Sequence, residues 1–137
     1  MKLAIIYAIS LVVMLALDFA WLSATGNTIY RPNMQGLIRE KINLLPAVGF
    51  YALFAFAVAY LIVLPAVSGT SINYVDLSLR AGVLGLACYA TYSLTGLSVI
   101  RDWPLNVSLI DMAWGTFAAV ATANATVFGL KLLGQVA

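Results

Sequence analysis

Residues 3–24, LAIIYAISLVVMLALDFAWLSA, form an apolar run broken by a single charge, Asp18. As a helix rising about 1.5 Å per residue, the run reaches roughly 33 Å, enough to cross a hydrocarbon layer about 30 Å thick. It shows none of the polar–apolar alternation that a membrane barrel strand requires. Lys2 and the small residues at its end resemble a cleavable signal, but the run is long for that and holds Asp18 and Trp21 in its second half. It reads as the first of several membrane spans.

Three similar runs follow, over residues 44–67, 77–97 and 105–133. Pro46 stands near the first turn of the second run, where a missing N–H costs least, and Pro65 stands near its far end. Arg101-Asp102-Trp103-Pro104 makes a polar turn between the last two. The expected fold is therefore all-α: a four-helix transmembrane bundle forming one integral membrane domain over residues 1–137.

Composition supports this. Of 137 residues, 64% are hydrophobic and 9% charged, whereas soluble domains carry roughly 45–50% apolar and about 25% charged residues. So little polar surface cannot keep the chain in water. The absence of histidine excludes imidazole metal sites, proton shuttles and His-dependent triads. Cys88 is the one cysteine, so an internal disulfide or thiolate cluster is excluded too. No metal or cofactor is expected. A net charge of +2 gives no reason to expect nucleic acid.

The only long connection, residues 25–44, begins with a Gly26-Asn27-Thr28 turn and Arg31-Pro32. Beyond these, Met34, Leu37, Ile38, Ile42 and Leu45 recur among charged residues, a spacing that predicts a short amphipathic helix on the membrane surface. Four spans put residues 2 and 132 on one face, A, and the long connection and the Arg101 turn on the other, B. Lys2, Arg80 and Lys131 lie on face A against Arg31, Arg39, Lys41 and Arg101 on face B, a balance that does not fix orientation. Gly115, Ala119 and Ala123 on the fourth helix, and Ser78, Gly82, Gly85, Tyr89, Tyr92 and Gly96 on the third, predict close interhelical seams.

Two carboxylates interrupt the apolar runs. An ionised Asp near the centre of a bilayer costs about 2.5–3.5 kcal/mol on insertion scales, so Asp18 and Asp111 are expected to face protein or water. Each lies about six residues inside a face-B boundary, which sets them level. Their surroundings repeat: Asp18-Phe19-Ala20-Trp21 in the first span and Asp111-Met112-Ala113-Trp114 in the fourth, each Trp at i+3 from its acid. Two carboxylates sharing an apolar site need not ionise alike, so together they can serve as proton donor and acceptor.

Plainer readings stand beside this one. Ser108 precedes Asp111 by three, which fits a capping pattern at a helix start. Asp18 can simply bond an interior hydroxyl or amide. Trp21, Trp103 and Trp114 fit an interfacial aromatic belt, Asp102 a rim pair or turn cap, and Asp76 with Arg80 a surface pair. Tyr89, Tyr92, Ser93 and Thr95 on the third helix and Asn43 share the level of the acids. Tyr92 can bond either one, and Arg31 or Arg101 can neutralise one from the rim. Asn124 is placed for an interhelical hydrogen bond.

The pattern Leu17-Asp18-Phe19-Ala20-Trp21-Leu22, Tyr30, Tyr89-Ala90-Thr91-Tyr92-Ser93-Leu94-Thr95, Arg101-Asp102-Trp103-Pro104 and Asp111-Met112-Ala113-Trp114-Gly115 resembles the bacterial predicted-membrane-protein family called domain of unknown function 2177. The order and spacing hold along nearly the whole chain. One departure is Ser93-Leu94-Thr95-Gly96, where the family pattern has Asp-Leu-Thr-Asn. The resemblance implies a multi-pass protein of the bacterial inner (cytoplasmic) membrane and brings no activity with it. The candidate site thus comprises Asp18 and Asp111 as an acid/base pair, with Trp21, Tyr30, Tyr89, Tyr92, Thr95, Arg101, Asp102, Trp103 and Trp114 as ligand-binding residues.

Two functional readings fit. The first is binding or acid–base transformation of a small lipophilic molecule, a lipid or isoprenoid, in an Asp/Tyr/Trp pocket. The second is a non-catalytic accessory subunit of a larger membrane complex. Expected partners are membrane lipids, with self-association or a larger complex through the seams. Proton-coupled transport fits less well, because so short a chain needs an oligomer to form a path and shows no broken helix.

Overall fold

A computed structural model of the protein describes residues 2–34, 36, 37, 41 and 43–136. Its framework is four helices long and apolar enough to cross a membrane: α1 (Lys2–Asn33), α2 (Leu44–Val67), α3 (Tyr74–Val99) and α4 (Leu105–Leu132). No strand occurs among the described residues. Of the surface helix expected near residues 34–45, residues 35, 38–40 and 42 lie outside the described residues, and Gly36 and Leu37 form a turn.

α1 runs nine residues past the expected end. It does not stop at Gly26-Asn27-Thr28. Instead the helix widens over Gly26–Tyr30 into a π-type turn and continues through Arg31-Pro32-Asn33. α2 does the same, widening over Val58–Val63 before Leu64-Pro65. In both helices the wide turn ends two residues before a proline. A proline ring clashes with the carbonyl four residues back and offers no N–H to it, and a locally wider helix relieves both problems without a break. Gly26 and Pro32 therefore mark a distortion where the sequence suggests an end. At about 1.5 Å per residue, α1 then reaches roughly 48 Å, so its last turns stand at the membrane surface.

The other ends follow ordinary capping rules. Asn43 Oδ1 accepts from Leu45 N at 3.2 Å to start α2, and Asn73 Oδ1 accepts from Asp76 N at 3.1 Å to start α3. Asp102 takes the left-handed conformation (φ 61°) in the tight turn between α3 and α4. Gly134 (φ 72°) follows the end of α4, with Gln135 N bonded to Leu130 O at 2.9 Å.

α4 is the shared partner. Against α3 it packs through small residues: a β-carbon at Gly85 would collide with the Gly115 carbonyl and lie 2.7 Å from Ala119 Cβ. Against α1 it forms polar rungs, with Ser10 Oγ 3.1 Å from Thr126 Oγ1 and Thr122 Oγ1 donating to Met14 Sδ at 3.7 Å. α2 lies against α1 and meets α3 and α4 through its Val58–Val63 turn. The face-A half is closed by Ile6, Val58, Val63, Ala123, Val127 and Leu130, all fully buried. Val12, Phe19, Leu53, Val75, Val83 and Phe128 point outward, as a lipid-facing belt should.

Candidate functional site

In α1, Met14, Asp18, Trp21 and Thr25 recur at helical spacing along the face turned into the bundle. In α4, Ser108, Asp111 and Gly115 do the same. Because α1 and α4 run antiparallel, the two acids arrive in one chamber, each 8% exposed. The chamber has a volume of about 220 Å³.

Asp18 accepts on both oxygens. Trp114 Nε1 donates to its Oδ1 at 2.8 Å, and the Tyr51 hydroxyl donates to its Oδ2. Asp111 Oδ1 accepts from the Tyr30 hydroxyl, whose oxygen in turn accepts from Trp21 Nε1 at 2.9 Å. The indoles of Trp21 and Trp114 stack with centroids 4.4 Å apart and planes 7° from parallel. Each acid is thus held by residues of another helix or of a distant turn, and the stacked indoles link the two halves. Side chains on a helix lean toward its N-terminus, so Tyr30 reaches back along α1 to close the chamber on the face-B side. Above it, Asn106 Nδ2 donates to Asn33 Oδ1 at 2.8 Å.

The wide turn of α1 has a direct consequence here. A helix ending at residue 24 would leave Tyr30 on a loop, whereas the continued helix carries its phenol to Asp111.

Seven sequence-derived candidates line the chamber: Asp18, Trp21, Tyr30, Tyr89, Tyr92, Asp111 and Trp114. Tyr89 lies over Gly115, whose missing side chain makes room for the ring. Tyr92 is 48% exposed at the edge. The tyrosines donating to Asp18 and Asp111 are Tyr51 and Tyr30.

Four candidates do not line the chamber. Thr95 lies off the inward stripe set by Tyr89, Ser93 and Gly96 and is exposed. Arg101 and Asp102 are exposed in the turn. Trp103 covers Gly96, meets the Tyr92 ring edge-on at 5.6 Å, and donates to Ser108 Oγ at 3.0 Å. It supports a wall residue from behind.

The capping reading of Asp111 fails on geometry. α4 begins after Pro104 with no side-chain cap, and Ser108 Oγ bonds the Pro104 carbonyl at 2.9 Å from within the first turn. Neutralisation from the rim also fails, since among the described residues the one ion pair is Asp76–Arg80 at 2.8 Å, exposed on α3. No cluster able to hold a metal ion occurs among the described residues.

Tyr51 was not among the candidates, although a signal existed. In α2 the only side chains with hydrogen-bonding groups are Tyr51 and Tyr60, and Tyr51 lies seven residues past Leu44, close to the depth of both acids. Phe50 and Leu22 complete the lining. A second, almost wholly apolar cavity of about 270 Å³ adjoins it, lined by Phe50, Cys88, Tyr89 and Tyr92. Ser93 Oγ is buried without a hydrogen-bond partner. The Ser78–Asn124 bond (3.0 Å) and the Gly85–Gly115 contact fix the register of α3 against α4, which sets Ser93 at about the level of Ser108.

Four apolar spans around a carboxylate-bearing chamber define a multi-pass integral membrane protein. The chain belongs to the family described as predicted membrane protein, domain of unknown function 2177, whose model matches residues 3–128. No curated protein and no solved structure matches it.

Proposed function

We propose that this protein binds a small lipophilic molecule, a lipid or isoprenoid, in the chamber between α1, α2, α3 and α4, and moves protons to and from it, in the bacterial inner (cytoplasmic) membrane. The observation that carries this reading is the placement of Asp18 and Asp111 in one cavity, each accepting from its own tyrosine. Intramembrane acids without a cation partner are expensive to maintain. A purely structural role calls for one bonded acid, not two beside an open volume.

The chemistry follows from the bonds. Tyr51 and Asp18 form one proton-exchanging pair. Tyr30 and Asp111 form a second, in which the Trp21 indole N–H holds the phenol oxygen and so directs its proton at the carboxylate. A bound molecule between the pairs meets an acceptor on either side, and the aromatic walls favour any positive charge that develops on it.

The test is native mass spectrometry of gently extracted wild-type protein, Asp18→Asn and Asp111→Asn. Wild type should retain a small lipophilic molecule that each variant loses, with insertion and yield unchanged. Identical retention in all three proteins would refute the reading. Reduced yield with a protein partner copurifying in fixed ratio would transfer the acids to an accessory-subunit role.

A further inference from the structure

We infer that the chamber's ligand is an amphiphile with a cationic, ammonium-type head, which enters from the lipid through the gap between α2 and α3 and leaves its tail in that gap. This inference rests on the reading of the chamber as a ligand site. It adds the sign of the head and the route.

The route is drawn by how α2 packs. Its contact with α3 comes from the Val58–Val63 turn, whereas its first half, Leu44–Ala57, lies on α1. Towards face B the space between α2 and α3 is spanned by rings: Tyr89 meets Phe50 and Phe54 edge-on, each at 5.9 Å. The apolar cavity of about 270 Å³ lies here, and it shares Phe50, Tyr89 and Tyr92 with the acid chamber. Phe50 (40%) and Tyr92 (48%) are exposed on the lipid side of this wall. Ring edges can swing aside on rotamer changes, while the glycine-to-backbone contact that seals α3 against α4 cannot. Each cavity alone is smaller than the ~300–1,000 Å³ of usual small-molecule sites. A ligand using both has an apolar part in one and a polar part in the other.

The sign is drawn by what the chamber offers. Its lining includes two carboxylates and neither Lys nor Arg. The Trp114, Tyr51, Tyr30 and Trp21 donors are already committed to Asp18, Asp111 and Tyr30. What is left for a ligand is the carboxylate acceptors, the aromatic faces and the Tyr89 and Tyr92 hydroxyls, which can accept as well as donate. A phosphate or carboxylate head would meet two carboxyl groups and no cation in the lining. An ammonium group finds both the acids and the ring walls in its favour.

The experiment uses the full chain in phosphatidylcholine vesicles, with Trp103→Phe so that Trp21 and Trp114 are the only indoles. Emission is titrated with dodecyltrimethylammonium, dodecyl phosphate, dodecanol and tetramethylammonium. Dodecyltrimethylammonium should saturate the signal at least tenfold more tightly than dodecanol, and dodecyl phosphate should give no saturable response. Asp18→Asn and Asp111→Asn should each bring the ammonium and alcohol probes to within threefold of one another. Cys88→Phe, which fills the apolar cavity, should weaken dodecyltrimethylammonium at least tenfold and leave tetramethylammonium unchanged. Equal responses to ammonium and phosphate probes would overturn the sign. An unaltered Cys88→Phe titration would overturn the route. Silence to every probe would sink the ligand-site reading itself.

Discussion

α4 presents two faces to its neighbours, and they solve the same problem in opposite ways. Inside a bilayer, apolar side chains gain nothing from leaving water, so helices associate by close packing or by interhelical hydrogen bonds. Towards α3, α4 offers Gly115 and Ala119, and the backbones close until a β-carbon at Gly85 has no room. Towards α1 it offers Thr126, Thr122, Trp114, Asp111 and Asn106, each bonded to an α1 residue. The first face excludes volume and adds one interhelical bond, Asn124 Nδ2 to Ser78 Oγ at 3.0 Å. The second uses small hydroxyls near face A and then indoles and acids towards face B, where the large side chains hold the helices apart and leave a chamber. One helix thus seals one seam and leaves a chamber in the other.

The sealed seam should break hardest. Gly85→Leu places a branched side chain against the Gly115 carbonyl and Ala119, neither of which can rotate away. Its cost should reach or exceed the ~1–3 kcal/mol of ordinary overpacking. The midpoint of denaturation in detergent, or loss of folded protein on extraction, measures it. A variant as stable as wild type would show that α3 and α4 do not meet there. The open seam should respond less, and in a graded way. Asp18→Ala strands the Trp114 N–H and the Tyr51 hydroxyl, both only part-buried, so together they should cost no more than the ~1–3 kcal/mol of one fully buried unsatisfied donor. Asp18→Asn keeps an acceptor for one of them and should be the milder change, with the Trp21–Trp114 stack preserved in near-ultraviolet circular dichroism. Equal stability of the two variants would mean that Asp18 is not an acceptor for these donors.

The same contrast explains how much was legible from sequence. Number and type of the helices followed from run length and hydropathy, since a bilayer permits so few spanning structures. Gly115 and Ala119 announced the sealed seam by their spacing. The pairing of Asp18 with Asp111 was reachable because two acids at equal depth on antiparallel helices fall level. One residue escaped and another was reached only indirectly. Tyr51 sits in an otherwise featureless span, and its partner lies on another helix, so no local pattern marks the bond. Tyr30 was known only through a resemblance, because Gly26 and Pro32 read locally as a stop. A π-type turn reverses that reading, and turns of this kind depend on what the widened backbone can reach in three dimensions. Thr95, Arg101 and Asp102 lie outside the chamber lining. Their nearness in sequence to Tyr92 and Trp103 did not survive the geometry of helix and turn.

The smallest expected effect lies at the rung farthest from the chamber, and it decides whether the polar face of α4 is a set of bonds or a single site with incidental neighbours. Ser10 Oγ and Thr126 Oγ1 are fully buried and 3.1 Å apart, and Thr126 Oγ1 also bonds the Thr122 carbonyl at 2.7 Å. Replacing Ser10 by Ala therefore removes one partner from a hydroxyl that keeps another. Interhelical bonds of this type average about 0.6 kcal/mol by double-mutant cycle. The cycle of Ser10→Ala and Thr126→Val in detergent should return a coupling of about that size, with ligand retention unaltered in both single variants. A coupling indistinguishable from zero would leave the association of α1 and α4 to the stacked indoles and the acids. Residues that create the chamber would then also hold the bundle together, and stability and binding could not be separated by substitution.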